Sequence, residues 1–144
     1  MESSGRSVIW DRVLLAVVVG VAVYGVGLVV AGLFLGDHVF DRLGFGPDDG
    51  KIADGRSRDY LRLVFGILGA VIVGWMTTIG AIVLGPLQRR EAWAWWAIVS
   101  AVAVWFTLDT GLSLVLGFVG HALFNAVFAG ALAVPLLAIR RELQ

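Results

Sequence analysis

The chain has 144 residues, no cysteine, and as many basic as acidic side chains, so its formal charge is zero. Hydrophobic residues make up 59% and charged residues 15%, with a mean hydropathy of +0.90, where a soluble globular chain carries about a quarter charged residues. This balance excludes a soluble domain and gives nucleic acid no basic patch to meet, and the absence of thiols excludes disulfide exchange, thiolate zinc sites and stapled loops.

The charges stand in islands: Arg6, Asp11 and Arg12; a cluster from Asp37 to Arg62; Arg89, Arg90 and Glu91; and Arg140, Arg141 and Glu142. Uncharged runs fill 13–36, 63–88, 92–108 and 110–139. A helix rising ~1.5 Å per residue needs about 20 apolar residues to cross a hydrocarbon core of ~30 Å. None of the runs carries the polar face, at helical period, of a buried helix in a soluble protein. The predicted class is therefore all-α, a multi-pass membrane bundle of four transmembrane helices forming one domain over 1–144. The helices are expected at about 10–36, 60–85, 92–116 and 121–140, with an outer loop at 37–59.

The first apolar run is too long for a signal-peptide core and lacks a convincing small-residue cleavage site, so it reads as a retained anchor. Ala16 with Gly20 and Gly32 with Gly36 provide small residues four apart, a spacing that lets helices approach closely in lipid. Tyr24 lies in the same helix without a clear role. The glycines of "YGVGLVVAG" have no strand before them and sit in a span, which removes a nucleotide-binding reading. In the loop, "DHVFDRLGFG" places Val39, Phe40 and Leu43 on one side of a short helix suited to the bilayer surface. "GPDDGKIADG" is turn chemistry around Pro47, and its carboxylates lack the alternation of a calcium loop.

The second helix opens with Arg58, Tyr60 and Arg62; Trp75 reads as packing, and Thr77 and Thr78 as internally hydrogen-bonded. The stretch 92–139 is too long for one helix and suits a hairpin. A turn at Asp109-Thr110-Gly111 leaves unequal halves, whereas Gly117-Phe118-Val119-Gly120 leaves more even ones and has two glycines, so the second is preferred. It keeps Asp109 in the third helix, about two turns from its end, and starts the fourth near His121. Ala122, Ala126 and Gly130 recur every four residues as a packing stripe, and Pro135 falls in the last turns, where a kink is tolerable.

Four crossings put both termini on one side, with Arg6, Arg12, Arg89, Arg90, Arg140 and Arg141. The other side has Arg42, Lys51, Arg56, Arg58 and Arg62 among several aspartates. The positive-inside rule then expects cytoplasmic termini in a plasma-membrane protein, and Trp10, Trp93, Trp95 and Trp96 read as an interfacial belt.

A carboxylate in such a helix is a functional hypothesis by default. Trp105, Asp109 and Ser113 share one helical face with Thr110 nearby, and His121 and Asn125 form another four-residue pair on the neighbouring helix. Arg62 is the sequence-plausible cation for Asp109, because its long side chain can reach inward from the helix end. The expected polar cluster is Asp109, Arg62, His121, Asn125, Thr110 and Ser113. It can fix helix register, bind a small ligand or lipid headgroup, or relay protons through Asp109. Asp109, His121 and His38 could hold a metal, but two histidines far apart in sequence assign no metal site. No cofactor is indicated. No catalytic motif appears either: there is no close carboxylate pair, nucleophile elbow or phosphate loop.

On "YLRLVFGILGAVIVGWM", "WFTLDTGLSLVLGF" and four crossings, the chain resembles small four-helix prokaryotic membrane proteins, the broad DoxX-like group among them. The resemblance implies architecture and no activity. Small multidrug transporters also have four helices, but their function depends on a membrane-embedded glutamate in the first helix, and 13–36 holds no carboxylate. The favoured reading is a noncatalytic membrane module, surrounded by the bilayer, that assembles with itself or with a membrane protein partner. The alternative is a ligand-binding or proton-coupled transport protein using Asp109.

Overall fold

A computed structural model describes residues 2–34 and 55–141 of the chain. It contains α1 (Glu2–Phe34), α2 (Gly55–Ile82) continued by one wider π-helical turn (Val83–Leu87), α3 (Ala92–Val115) and α4 (Val119–Arg140). Among the described residues, four segments are long and apolar enough to cross a membrane, Val8–Phe34, Asp59–Leu87, Ala92–Val115 and Val119–Arg140. The chain is an all-α, four-helix, multi-pass membrane protein. Its expected loop helix around Val39, Phe40 and Leu43, the turn at Pro47, and His38 lie outside the described residues. The helices start earlier than hydropathy alone suggests, α1 at Glu2 and α2 at Gly55, because charged residues can extend a helix beyond the hydrocarbon.

Each helix turns a seam of residues three and four apart toward its neighbours. On α1 the seam passes through Asp11, Leu14, Val18, Gly25 and Leu28; on α2 it passes through Gly69, Ile72, Met76, Ile79, Val83 and Leu87. On α3 it holds Trp95, Ile98, Val102, Trp105 and Asp109, and on α4 Ala122, Asn125, Leu132, Leu136 and Ile139. This spacing is what lets ridges of one helix enter grooves of the next at a shallow angle. The α1 backbone lies against α2 and α4, and α3 lies against α4. The tilted Trp75 and Trp105 rings, 5.8 Å apart, join α2 to α3 through side chains. The large buried side chains, among them Leu14, Met76, Leu87, Ile98 and Ile139, gather toward the end that carries the chain termini.

The closest backbone approach joins α1 and α2. A Cβ on Gly25 would sit 2.9 Å from the Gly69 carbonyl oxygen, and one on Gly69 would collide with the Gly25 carbonyl oxygen. Gly32 repeats the contact one heptad on, against the Arg62 carbonyl oxygen at 2.8 Å. Of the small residues expected to pack, Gly32 does so, but Gly20 and Gly130 have open space where a side chain would go. Ala122 is buried, whereas Ala126 and Gly130 face outward, so this stripe does not bring α4 onto another helix of the same chain. Thr77 and Thr78 donate to the Val73 and Gly74 carbonyls of their own helix at 2.8 and 3.1 Å.

Two helices end in the same way. After α3, the Phe118 N–H donates to the Ser113 carbonyl at 2.8 Å and the Gly117 N–H to the Leu114 carbonyl at 3.1 Å, with Gly117 at φ 81°. This is a Schellman closure with glycine in the left-handed position, and it places the hairpin turn at the first of the two expected glycines. Gly120 lies within α4. After the π-helical turn, the Glu91 N–H reaches the Pro86 carbonyl at 3.0 Å and the Arg90 N–H reaches the Leu87 carbonyl at 2.9 Å. The left-handed position there belongs to Arg90, φ 60°. Outside glycine such a conformation costs about 1–2 kcal/mol. Arg90 is held in it by a two-pronged ion pair with Asp11 of α1, Nη1–Oδ1 3.2 Å and Nη2–Oδ2 3.0 Å. Asp11 is only 7% exposed.

Two predictions follow from these contacts. Gly69→Val should force α1 from α2 and lower stability by about 1–3 kcal/mol or more, whereas Gly74→Ala, with open space around it, should leave the melting temperature in detergent unchanged. Asp11→Asn and Arg90→Gln should each cost about 3 kcal/mol, the usual effect of stranding one half of a buried pair. Asp11→Leu combined with Arg90→Gly should recover most of that loss, since glycine suits the turn; a double variant as unstable as the singles would show that the pair does not hold the turn.

Candidate functional site

Asp109 lies on the same α3 seam as Trp105, one turn earlier, and Ser113, one turn later. Helical spacing therefore determines two of its contacts before α4 arrives. The Trp105 indole Nε1–H donates to Oδ2 at 3.1 Å. The Ser113 hydroxyl donates to the Asp109 carbonyl oxygen at 2.7 Å, so it serves the backbone rather than the carboxylate. The Gly117 turn then folds α4 back antiparallel and brings His121 opposite Asp109. Its Nε2 lies 3.3 Å from Oδ1, a hydrogen bond when Nε2 carries the proton and an ion pair when the ring is doubly protonated. One turn along α4, the buried Asn125 side-chain amide donates to the Thr110 hydroxyl at 3.4 Å. Both links tie α3 to α4 at one height.

Aromatic rings close the cluster toward α1. Tyr24 packs against Phe124 and Phe128 with ring centroids 5.5 and 5.7 Å away, and those two rings are 4.6 Å apart. His121 stacks on Phe124 at 6.3 Å. Tyr24, without a clear role in the sequence, thus forms the α1 wall. Trp105 is a further member of the cluster: its place four residues before Asp109 is visible in the sequence, but its indole N–H becomes a ligand only through its rotamer.

Five of the six expected residues, Asp109, His121, Asn125, Thr110 and Ser113, come together. Arg62 does not join Asp109. It forms an ion pair with Asp59 at 3.5 Å, one turn back on its own helix. The reason is positional: Asp59 is available at helical spacing near the helix end, while the Asp109 carboxylate oxygens are engaged by Trp105 and His121. The carboxylate is instead answered by a neutral indole and an imidazole from its own hairpin. No group of three or more His, Asp or Glu side chains able to hold a metal occurs among the described residues.

Among the described residues, the ion pair best enclosed by protein, Asp11 with Arg90, is one that sequence reasoning missed as a pair. Its signal is present in the spacing, since Asp11 precedes Leu14 and Val18 by three and seven residues, and Arg90 follows Leu87 and Val83 by three and seven. Both thus continue core seams rather than the charged islands to which they were assigned.

Asp109→Asn and His121→Gln should each destabilise the protein by about 1–2 kcal/mol, with a coupling of roughly 1 kcal/mol in a double-mutant cycle of thermal unfolding. Asp109→Asn and Arg62→Gln should instead be additive; measurable coupling between them would contradict the arrangement described. No family model matches the chain, and no similar curated protein or solved structure is found, so the chain is placed as a small four-helix membrane protein and in no DoxX-like family.

Proposed function

We propose that this chain is a noncatalytic integral membrane protein that assembles with itself or with a membrane partner, and that the Asp109 cluster fixes the α3–α4 hairpin for that purpose. The observation that carries this reading is that both Asp109 carboxylate oxygens are engaged from within the hairpin, by Trp105 and His121. A carboxylate so occupied fixes helix register, a role in which buried polar groups are well attested. Assembly has its support in the outward Ala126 and Gly130, whose spacing allows a second helix to approach closely where apolar burial adds little. The even placement of arginines at the terminal end supports a plasma-membrane protein with cytoplasmic termini.

One observation favours a second reading. The Asp109 and His121 side chains are each about one-third exposed, 33% and 32%, so a ligand or proton can reach them from the bundle surface. That arrangement suits a binding or proton-coupled transport protein in which Asp109 is the acceptor.

Native mass spectrometry of protein extracted gently from its own membrane separates the two. The assembly reading expects a homo-oligomer or a stoichiometric protein companion. It also expects Gly130→Leu to disrupt that complex while the melting temperature holds. A lone monomer that shows pH-dependent ligand binding or flux, lost in a folded Asp109→Asn variant, would replace it with the second reading.

A further inference from the structure

The terminal end of the bundle carries a second constellation, independent of the Asp109 cluster. Trp95 and Trp96 occupy the first turns of α3, and their rings meet edge to face at 4.8 Å and 85°. The Trp95 ring is buried and fixed, because its Nε1–H donates to the Leu136 carbonyl of α4 at 2.7 Å. Trp96 is 58% exposed. Arg140, the last residue of α4, lays its guanidinium over both rings, 5.1 Å from the Trp95 centroid and 5.9 Å from that of Trp96. Contact with two rings restricts the rotamers of a long side chain while the guanidinium keeps its charge and its N–H donors.

The described carboxylates that form ion pairs at this end, Asp11 and Glu91, pair with other arginines. Arg90 is taken by Asp11, and Arg89 by Glu91 at 2.6 Å. Glu91 also accepts from the Trp93 indole at 2.7 Å. The hydrogen bond from Arg89, then that from Trp93, hold the Glu91 carboxyl below its ordinary range, so it stays ionised and engaged at neutral pH. Among the described residues no carboxylate forms an ion pair with Arg140, and the neighbouring Arg141 is exposed. The described charged residues at this end are Arg6, Arg12, Arg89, Arg90, Arg140 and Arg141 against Glu2, Asp11 and Glu91, a positive excess. The helices end here, so the guanidinium stands at the depth of lipid headgroups, beside exposed tryptophans that favour that layer.

We propose that Arg140, stacked on Trp95 and Trp96 and supported by Arg141, binds the phosphodiester headgroup of an anionic phospholipid. The guanidinium fork matches two phosphate oxygens, and the acyl chains continue down the apolar outer face of α3 and α4. A headgroup with its own ammonium is disfavoured, because the local positive excess repels that second charge.

The test uses the full chain in nanodiscs holding equal parts of phosphatidylglycerol and phosphatidylcholine, from which native mass spectrometry reads the lipids retained on release. Wild type should retain phosphatidylglycerol about fivefold over phosphatidylcholine, the effect of roughly one interfacial arginine. Arg140→Gln should bring the ratio near one. Arg140→Lys, which keeps the charge but not the two-pronged guanidinium over the rings, should fall between them, and Trp96→Leu should do the same; both leave the buried Trp95 anchor in place. Equal retention by wild type, or an unchanged ratio in Arg140→Gln, would overturn the proposal. Loss of preference in Arg140→Gln but none in Arg140→Lys or Trp96→Leu would reduce it to a diffuse charge effect and equally defeat the stacked site.

Discussion

In hydrocarbon an apolar side chain finds as good a neighbour in a lipid tail as in another helix. Helices therefore stay together where backbones come closer than lipid permits, or where polar groups meet. Both conditions are met between α1 and α2. Gly25 and Gly69 bring the two backbones into direct contact in mid-span, and Asp11 with Arg90 secures the pair at the terminal end. With α1 held, its other face is presented to α4, where Tyr24 meets Phe124 and Phe128. The Asp109 cluster forms against that wall, so its surroundings rest on a contact two helices away.

The two polar pairs have different tasks. Asp11 and Arg90 lie on separate elements, are bidentate, and enclose a nearly buried carboxylate; they also hold an arginine in a backbone conformation that glycine usually fills. The closure after α3 uses the same hydrogen-bond pattern with Gly117 and needs no ion pair. The contrast explains why one turn is marked by its residue type and the other is not. Asp109 and His121, by comparison, are half-buried neighbours across a tight hairpin. Their contact joins α3 to α4 just beyond the turn, His121 Nε2 lying 3.3 Å from Asp109 Oδ1.

The ends of the bundle also differ in packing. Large side chains fill the terminal half, from Leu14 and Leu87 to Ile98 and Ile139. Toward the hairpin end the burial passes to small and polar residues, Ala31, Ala122, Ser113 and Asn125.

The class, the number of spans, the hairpin turn and the gathering of Asp109 with His121, Asn125, Thr110 and Ser113 were all legible in the sequence. Hydropathy, charge islands and helical period are local properties, and a short turn commits the two helices beside it to be antiparallel neighbours. What only the tertiary structure decided was which faces of non-adjacent helices meet. Arg62 was within plausible reach of Asp109 but found Asp59 on its own helix. Asp11 and Arg90 stood among surface charges in the sequence and closed a buried pair in the fold. Ala126 and Gly130 had the spacing of a contact, yet the close approach went to Gly25 and Gly69, because rotation about each helix axis is set by the partners it meets and not by the pattern along one strand of chain.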